Sequence, residues 1–247
     1  PNVPVFQRTD DDRPNADKSG DPRLVDQPAA GHGKAISGVI STIAPGVTIK
    51  VVRVNSRSGL LTDVDAARRI SQTFFAIGQV NNLPDLLVMS FGTTACDLTA
   101  GNGSAYLEPL GTQGIAEMVD RFDPVKARGM LIVASAGNMA SSRPHYPAAF
   151  DSVFGIGALD GTKDVDGSPW SSASKTAPIA DFSNTGTWVD AYTVGQDLLS
   201  NHVIGGLRFQ FNGPLIDGKA SIDGTSFSGP ATTGFVAELM SVTGLSA

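Results

Sequence analysis

The chain has 247 residues, 41% hydrophobic and 17% charged, enough to bury a sizeable core and too apolar for global disorder. Its 18 basic and 24 acidic residues leave a net charge of -6 with no Lys/Arg cluster, which argues against nucleic acid and anionic membrane surfaces as partners. The longest apolar runs, such as residues 130–134, fall far short of the roughly 20 residues that span a bilayer. A single cysteine, Cys96, excludes an internal disulfide, and with only His32, His145 and His202 there is no Cys/His zinc cage. The chain opens at Pro1 without a charged-then-apolar leader, so it reads as a mature form or as a segment of something longer, and the compartment stays open.

Residues 8–30 are polar and broken by prolines and glycines, which predicts an exposed loop; the acidic triplet Asp10, Asp11, Asp12 reads as solvated rather than calcium-binding. Over 33–43 the apolar positions Ile36, Val39, Ile40 and Ile43 recur at helical spacing; Pro45 and Gly46 stop that helix, and a β-branched strand follows over 48–54. Asp63 can cap a second helix with Ala66, Ala67, Ile70, Phe74 and Ile77 on one face, ahead of an apolar strand over 86–91. The same alternation returns as a helix over 114–122 and a strand over 130–134. Strands apolar on both faces are what a parallel sheet covered by helices requires, so the fold class is α/β with one main sheet. Short strands follow over 153–159 and 188–192, with a looser hairpin arm over 203–211. The last element is a helix over 225–240, rich in small residues at its start and marked there by Pro230. No repeat or long linker divides residues 1–247, which read as a single domain.

The strongest chemical signal is Gly224-Thr225-Ser226-Phe227-Ser228-Gly229-Pro230. A serine among small residues at the start of a helix presents its Oγ at the positive helix end, with backbone N–H groups nearby to hold an oxyanion. The bland reading is a cap in a Ser/Thr-rich turn. A nucleophilic serine needs a base, and His32, between two glycines and directly ahead of the first helix, has the structured setting that His145 and His202 lack. Chain order excludes an α/β-hydrolase, because no histidine follows Ser226 and the second glycine of its elbow comes one position late, at Gly229.

The order His then Ser, with these two motifs, resembles the subtilisin-like serine protease family over most of the chain. His32-Gly33-Lys34-Ala35-Ile36-Ser37-Gly38 is similar to the family's segment around the catalytic histidine, departing from it at Lys34 and Ala35, and Ala44-Pro45 matches the turn after that helix. Val133-Ala134-Ser135-Ala136-Gly137-Asn138 is similar to the strand end that carries the oxyanion-hole asparagine. Met89-Ser90-Phe91-Gly92, Tyr146-Pro147-Ala148 and Ala180-Asp181-Phe182-Ser183 are weaker landmarks in the correct order. The resemblance implies a three-layer sandwich with a mainly parallel sheet between helices. It makes Ser226 the nucleophile, His32 the general base, and Asn138 with the Ser226 N–H the oxyanion hole. A polypeptide substrate would lie beside Ser90, Phe91 and Gly92, with Ser135, Ala136 and Gly137 forming one wall of the pocket for the residue preceding the cleaved bond.

The third triad member, a carboxylate that orients the imidazole, should precede the histidine by roughly 30 residues, at or before Pro1. Asp10, Asp11, Asp12, Asp17, Asp21 and Asp26 lack the strand and glycine motif that the family places around it. The favoured explanation is an upstream segment or domain that completes the triad, so that the first strand of the domain is missing; a shifted position such as Asp10 and a degenerate, peptide-binding scaffold are the alternatives. No cofactor is required; the resemblance allows structural calcium, but no ligand loop is recognisable. It also favours secretion, while the cysteine usage permits an intracellular protein. Residues 201–221 read as an insertion with no assigned role.

Overall fold

The computed structural model describes residues 31–52, 54, 84–94, 96–97, 106–107, 130–169, 176–201, 211–216 and 219–244. In chain order the elements are helix α1 (His32–Ile43), strands β1 (Leu86–Met89), β2 (Thr93–Thr94), β3 (Cys96–Asp97), β4 (Tyr106–Leu107), β5 (Leu131–Ser135), β6 (His145–Tyr146), β7 (Phe154–Asp160), β8 (Ala191–Gln196), β9 (Leu198–Asn201), β10 (Phe211–Ile216) and β11 (Lys219–Ile222), and helix α2 (Thr225–Thr243).

Four strands form a parallel sheet in the order β1-β5-β7-β8, with Leu86 opposite Leu131 and Val133 opposite Phe154. The period-2 alternation along β5 divides its side chains between two apolar layers. Ile132 and Ala134 join a cluster with Met89, Met130, Ala148 and Val153. Val133 and Ser135 face α2, whose Gly229 lies against both. Helix α1 packs on α2 through a second cluster, in which Ala35 and Val39 meet Ala220, Ile222, Phe227 and Ala231. Phe227 is completely buried, which is worth about 1.5–3 kcal/mol for a side chain of this size and pins the first turn of α2 to α1.

The remaining strands are short. β9, β10 and β11 form an antiparallel sheet in the order β10-β11-β9, so part of the 201–221 insertion is a hairpin that delivers the chain to α2. β2 pairs antiparallel with β6, and β3 with β4.

The sequence placed α1, β1, β5, β7 and α2, while the short strands β2, β3, β4, β6, β9, β10 and β11 were not expected. The expected strand over 188–192 starts later, at Ala191. Its first residues are drawn into a turn in which the Val189 N–H donates to Gly186 O (3.2 Å) and the Trp188 indole N–H donates to Ser142 O (3.1 Å). Residues 48–52 join no ladder among the described residues. The loop over 8–30, the helices around 63–77 and 114–122, and residues 203–210 of the hairpin arm lie outside the described residues.

Candidate active site

Ser226 is the second residue of α2, half-buried, just after Gly224. The first four N–H groups of a helix have no partner within it. At this helix start the Thr225 N–H donates to Asn138 Oδ1 (2.8 Å) and the Phe227 N–H to Gly224 O (3.0 Å). The Ser226 N–H is thus left beside its own hydroxyl, at the positive end of a 19-residue helix. Pro230 has no N–H to give the carbonyl four residues earlier, which is that of Ser226. The freed carbonyl accepts instead from Ser90 Oγ (3.1 Å), tying the serine to the segment beyond β1.

Asn138 follows the C-terminal end of β5 and is exposed, yet its amide is oriented from one side. Oδ1 accepts from the N–H of Thr225 and also from Thr225 Oγ1 (2.7 Å), which itself accepts from the Gly137 N–H (3.0 Å). Both bonds go to the carbonyl end, so the NH2 is the end left to donate. The loop bearing Asn138 is held from beneath by Asn184, which is fully buried. Its Oδ1 accepts from the N–H of Met139 (3.0 Å) and Ser141 (3.1 Å), and its Nδ2 donates to Ala136 O (2.8 Å).

His32 is the first residue of α1, entered through Gly31 in the left-handed region (φ 83°). Its ring meets Phe227 edge-on, with centroids 5.7 Å apart, which brings it next to the residue after Ser226. Burial of the ring pushes its pKa down to about 4, so the imidazole is neutral near pH 7. Among the described residues no hydrogen bond joins His32 to Ser226 and no carboxylate bonds to His32. The aspartates between 10 and 26 lie outside the described residues.

The segments assigned to the substrate run on from two neighbouring strands. The β1–β5 ladder ends at Met89 opposite Ala134, so Ser90, Phe91 and Gly92 continue without a described ladder partner. Phe91 packs toward the Met89 cluster, leaving the backbone of this segment as the feature available to a peptide. On the other side Ser135 and Ala136 are buried and Gly137 is half-buried. His145, read as a loop residue from sequence, stands on β6, 7% exposed, with its ring against both Gly92 and Gly137. Its Nδ1 is bonded to Thr94 Oγ1 (3.3 Å), and burial lowers its pKa to about 4.

Sequence reasoning missed three residues of this region. Thr225 adjoins the serine and was open to inspection, but its grip on Asn138 depends on a chain crossing of 87 residues. Asn184 and His145 carried no local signal, each being a lone polar residue in a turn-rich stretch. Among the described residues no cluster of three or more His, Cys, Asp or Glu side chains is placed to hold a metal ion, and no described helix is long and apolar enough to cross a membrane.

The structure thus groups a half-exposed serine at a helix start, a histidine packed against the next residue of that helix and an asparagine amide with a free donor end, all on a parallel α/β scaffold. The subtilase family (peptidase S8) matches residues 5–244, and the chain belongs to that family. It is 27% identical over 220 residues to a thermophilic serine proteinase of Bacillus sp. (strain AK1), covering 85% of this chain and 42% of that protein. It is 24% identical over 229 residues to subtilisin DY of Bacillus licheniformis, covering 85% and 64%. The chain thus spans about half the length of these relatives. Its fold is that of a mutant of the protease domain of PatA, with a TM-score of 0.60 at 24% identity over 88% of this chain and 67% of that one.

Proposed function

We propose that this domain hydrolyses peptide bonds through an acyl-enzyme on Ser226. The observation that supports the reading is the orientation of Asn138: both bonds to its Oδ1 come from Thr225, the residue before Ser226, so its NH2 is left to donate, as is the Ser226 N–H at the helix start. In this mechanism Ser226 Oγ attacks the carbonyl carbon of the scissile bond while the His32 imidazole takes its proton. The carbonyl oxygen becomes an oxyanion that accepts from Asn138 Nδ2 and from the Ser226 N–H, a contribution of about 2.7–4 kcal/mol for the corresponding donor in subtilisin. His32 then passes the proton to the leaving amine, and water hydrolyses the ester by the same route in reverse.

A neutral histidine with a pKa near 4 is a weak base, and a carboxylate against the imidazole would raise its basicity and stabilise the imidazolium. We place that carboxylate upstream of His32, outside the described residues. The test is pre-steady-state turnover of a peptide p-nitrophenyl ester, with steady-state cleavage of the matching p-nitroanilide, by the protein and by Ser226→Ala. A burst of one nitrophenol per active site from the ester, absent in Ser226→Ala, is expected; anilide turnover that survives Ser226→Ala would contradict the assignment.

A further inference from the structure

We propose that His145 sets the specificity of this site by closing the pocket for the residue preceding the scissile bond, so that it accepts only the short side chains of Gly, Ala and Ser. The inference rests on the peptidase reading above and names the substrate class of the same site.

The two substrate segments leave adjacent parallel strands at the same end, and neighbouring strands lie only about 4.8 Å apart. Each segment has a glycine facing His145. A Cβ at Gly92 would lie 2.5 Å from His145 Nε2 and 2.7 Å from its Cδ2, and a Cβ at Gly137 would lie 3.1 Å from Cδ2 and from Cγ. The imidazole therefore lies against both glycines, sharing that space with Tyr146 O at Gly92 (2.5 Å) and with Asn184 Nδ2 at Gly137 (2.6 Å). Gly137 also has φ 98°, a conformation that favours glycine, so this wall is not free to carry a larger residue instead.

The ring is fixed rather than loose. Thr93 and Thr94 pair with Tyr146 and His145 in the β2–β6 ladder, and Nδ1 is bonded to Thr94 Oγ1. A bulky substrate side chain would have to displace the ring from that bond and from both glycine backbones. A methyl or hydroxymethyl group needs no such movement. Ser135, Ala136 and Gly137 are themselves small, and it is the ring, arriving from β6, that narrows the space beside them.

The experiment compares kcat/KM for tetrapeptide p-nitroanilides that differ only in the last residue (Gly, Ala, Ser, Leu or Phe), using the protein, His145→Ala and His145→Gly. Each preparation is also labelled with a fluorophosphonate, and the adduct on Ser226 is quantified. The protein is expected to prefer Ala over Phe by at least about tenfold, and His145→Gly to raise the Phe-to-Ala ratio by at least about tenfold. Equal or faster cleavage after Phe or Leu by the unsubstituted protein overturns the proposal, as does labelling without cleavage after any short residue. This comparison decides the matter even where both variants fail to fold. A folded, labelled His145→Gly with an unchanged ratio also overturns it. Absence of the adduct on the unsubstituted protein would instead bring down the peptidase reading itself, whereas an adduct combined with a preference for bulky residues defeats the pocket inference alone.

Discussion

The two halves of the site are held in different ways. The serine half is bonded from three directions: Asn138 takes up the first N–H of α2, Ser90 takes up the carbonyl that Pro230 frees, and Asn184 braces the Asn138 loop from beneath. The histidine half is held by packing: His32 stands at the end of α1 against Phe227, and desolvation sets its charge state. Hydrogen bonds fix direction, whereas packing fixes position and leaves the tautomer open. On the proposed mechanism the oxyanion donors are therefore preorganised within the described residues, while the base needs a carboxylate to be oriented and activated.

Removing the donor tests the first half of this contrast most severely. Asn138→Leu should lower kcat by about 10²–10³ with little change in KM, read from steady-state kinetics. Asn184→Ala removes a buried side chain that makes three hydrogen bonds to the loop and should cost on the order of 3 kcal/mol of stability in urea denaturation. If Asn184 acts on catalysis through Asn138, it should lower kcat in the parent protein and add almost nothing in the Asn138→Leu background.

The second half is tested by pH. His145 is neutral in the fold down to about pH 4, while an unfolded histidine protonates near its ordinary value of 6.5. The unfolded state then binds more protons between these values, so stability falls as pH drops from about 6.5 toward 4, by on the order of 3 kcal/mol, and is unaffected above that window. His145→Gln should flatten this slope in urea titrations at pH 7.5 and 4.5. His32 adds a similar dependence only while it lacks a carboxylate, because a paired carboxylate raises its pKa and removes that share. The smallest effect belongs to Thr225→Val, which loses the hydroxyl bonds to Asn138 and from the Gly137 N–H while keeping the backbone one, and should lower kcat by roughly tenfold.

Much of the fold was legible because it rests on local periodicity. The apolar positions of α1 and the runs over 86–91 and 130–134 announce themselves within a few residues, and Pro230 marks the start of α2. Ser226, His32 and Asn138 were singled out by short motifs in a fixed order, and the fold brings Asn138 and His32 against the residues on either side of Ser226. What stayed hidden were contacts across the chain. The Ser90–Ser226 bond spans 136 residues, Asn184 reaches back 43 and 45 residues to its loop, and His145 meets Gly92 and Gly137 from a two-residue strand whose partner is Thr93–Thr94. No window of sequence contains both ends of such a contact, and lone Asn and His residues have no periodicity to betray them.

The central claim is that Ser226 is an activated nucleophile, and the most direct test is peptide mapping by mass spectrometry after fluorophosphonate treatment of the protein, Ser226→Ala and His32→Ala. The account predicts one phosphonyl group, on Ser226, absent in Ser226→Ala and strongly slowed in His32→Ala. A phosphonyl group on another residue, or equal labelling of Ser226 with and without His32, would contradict it.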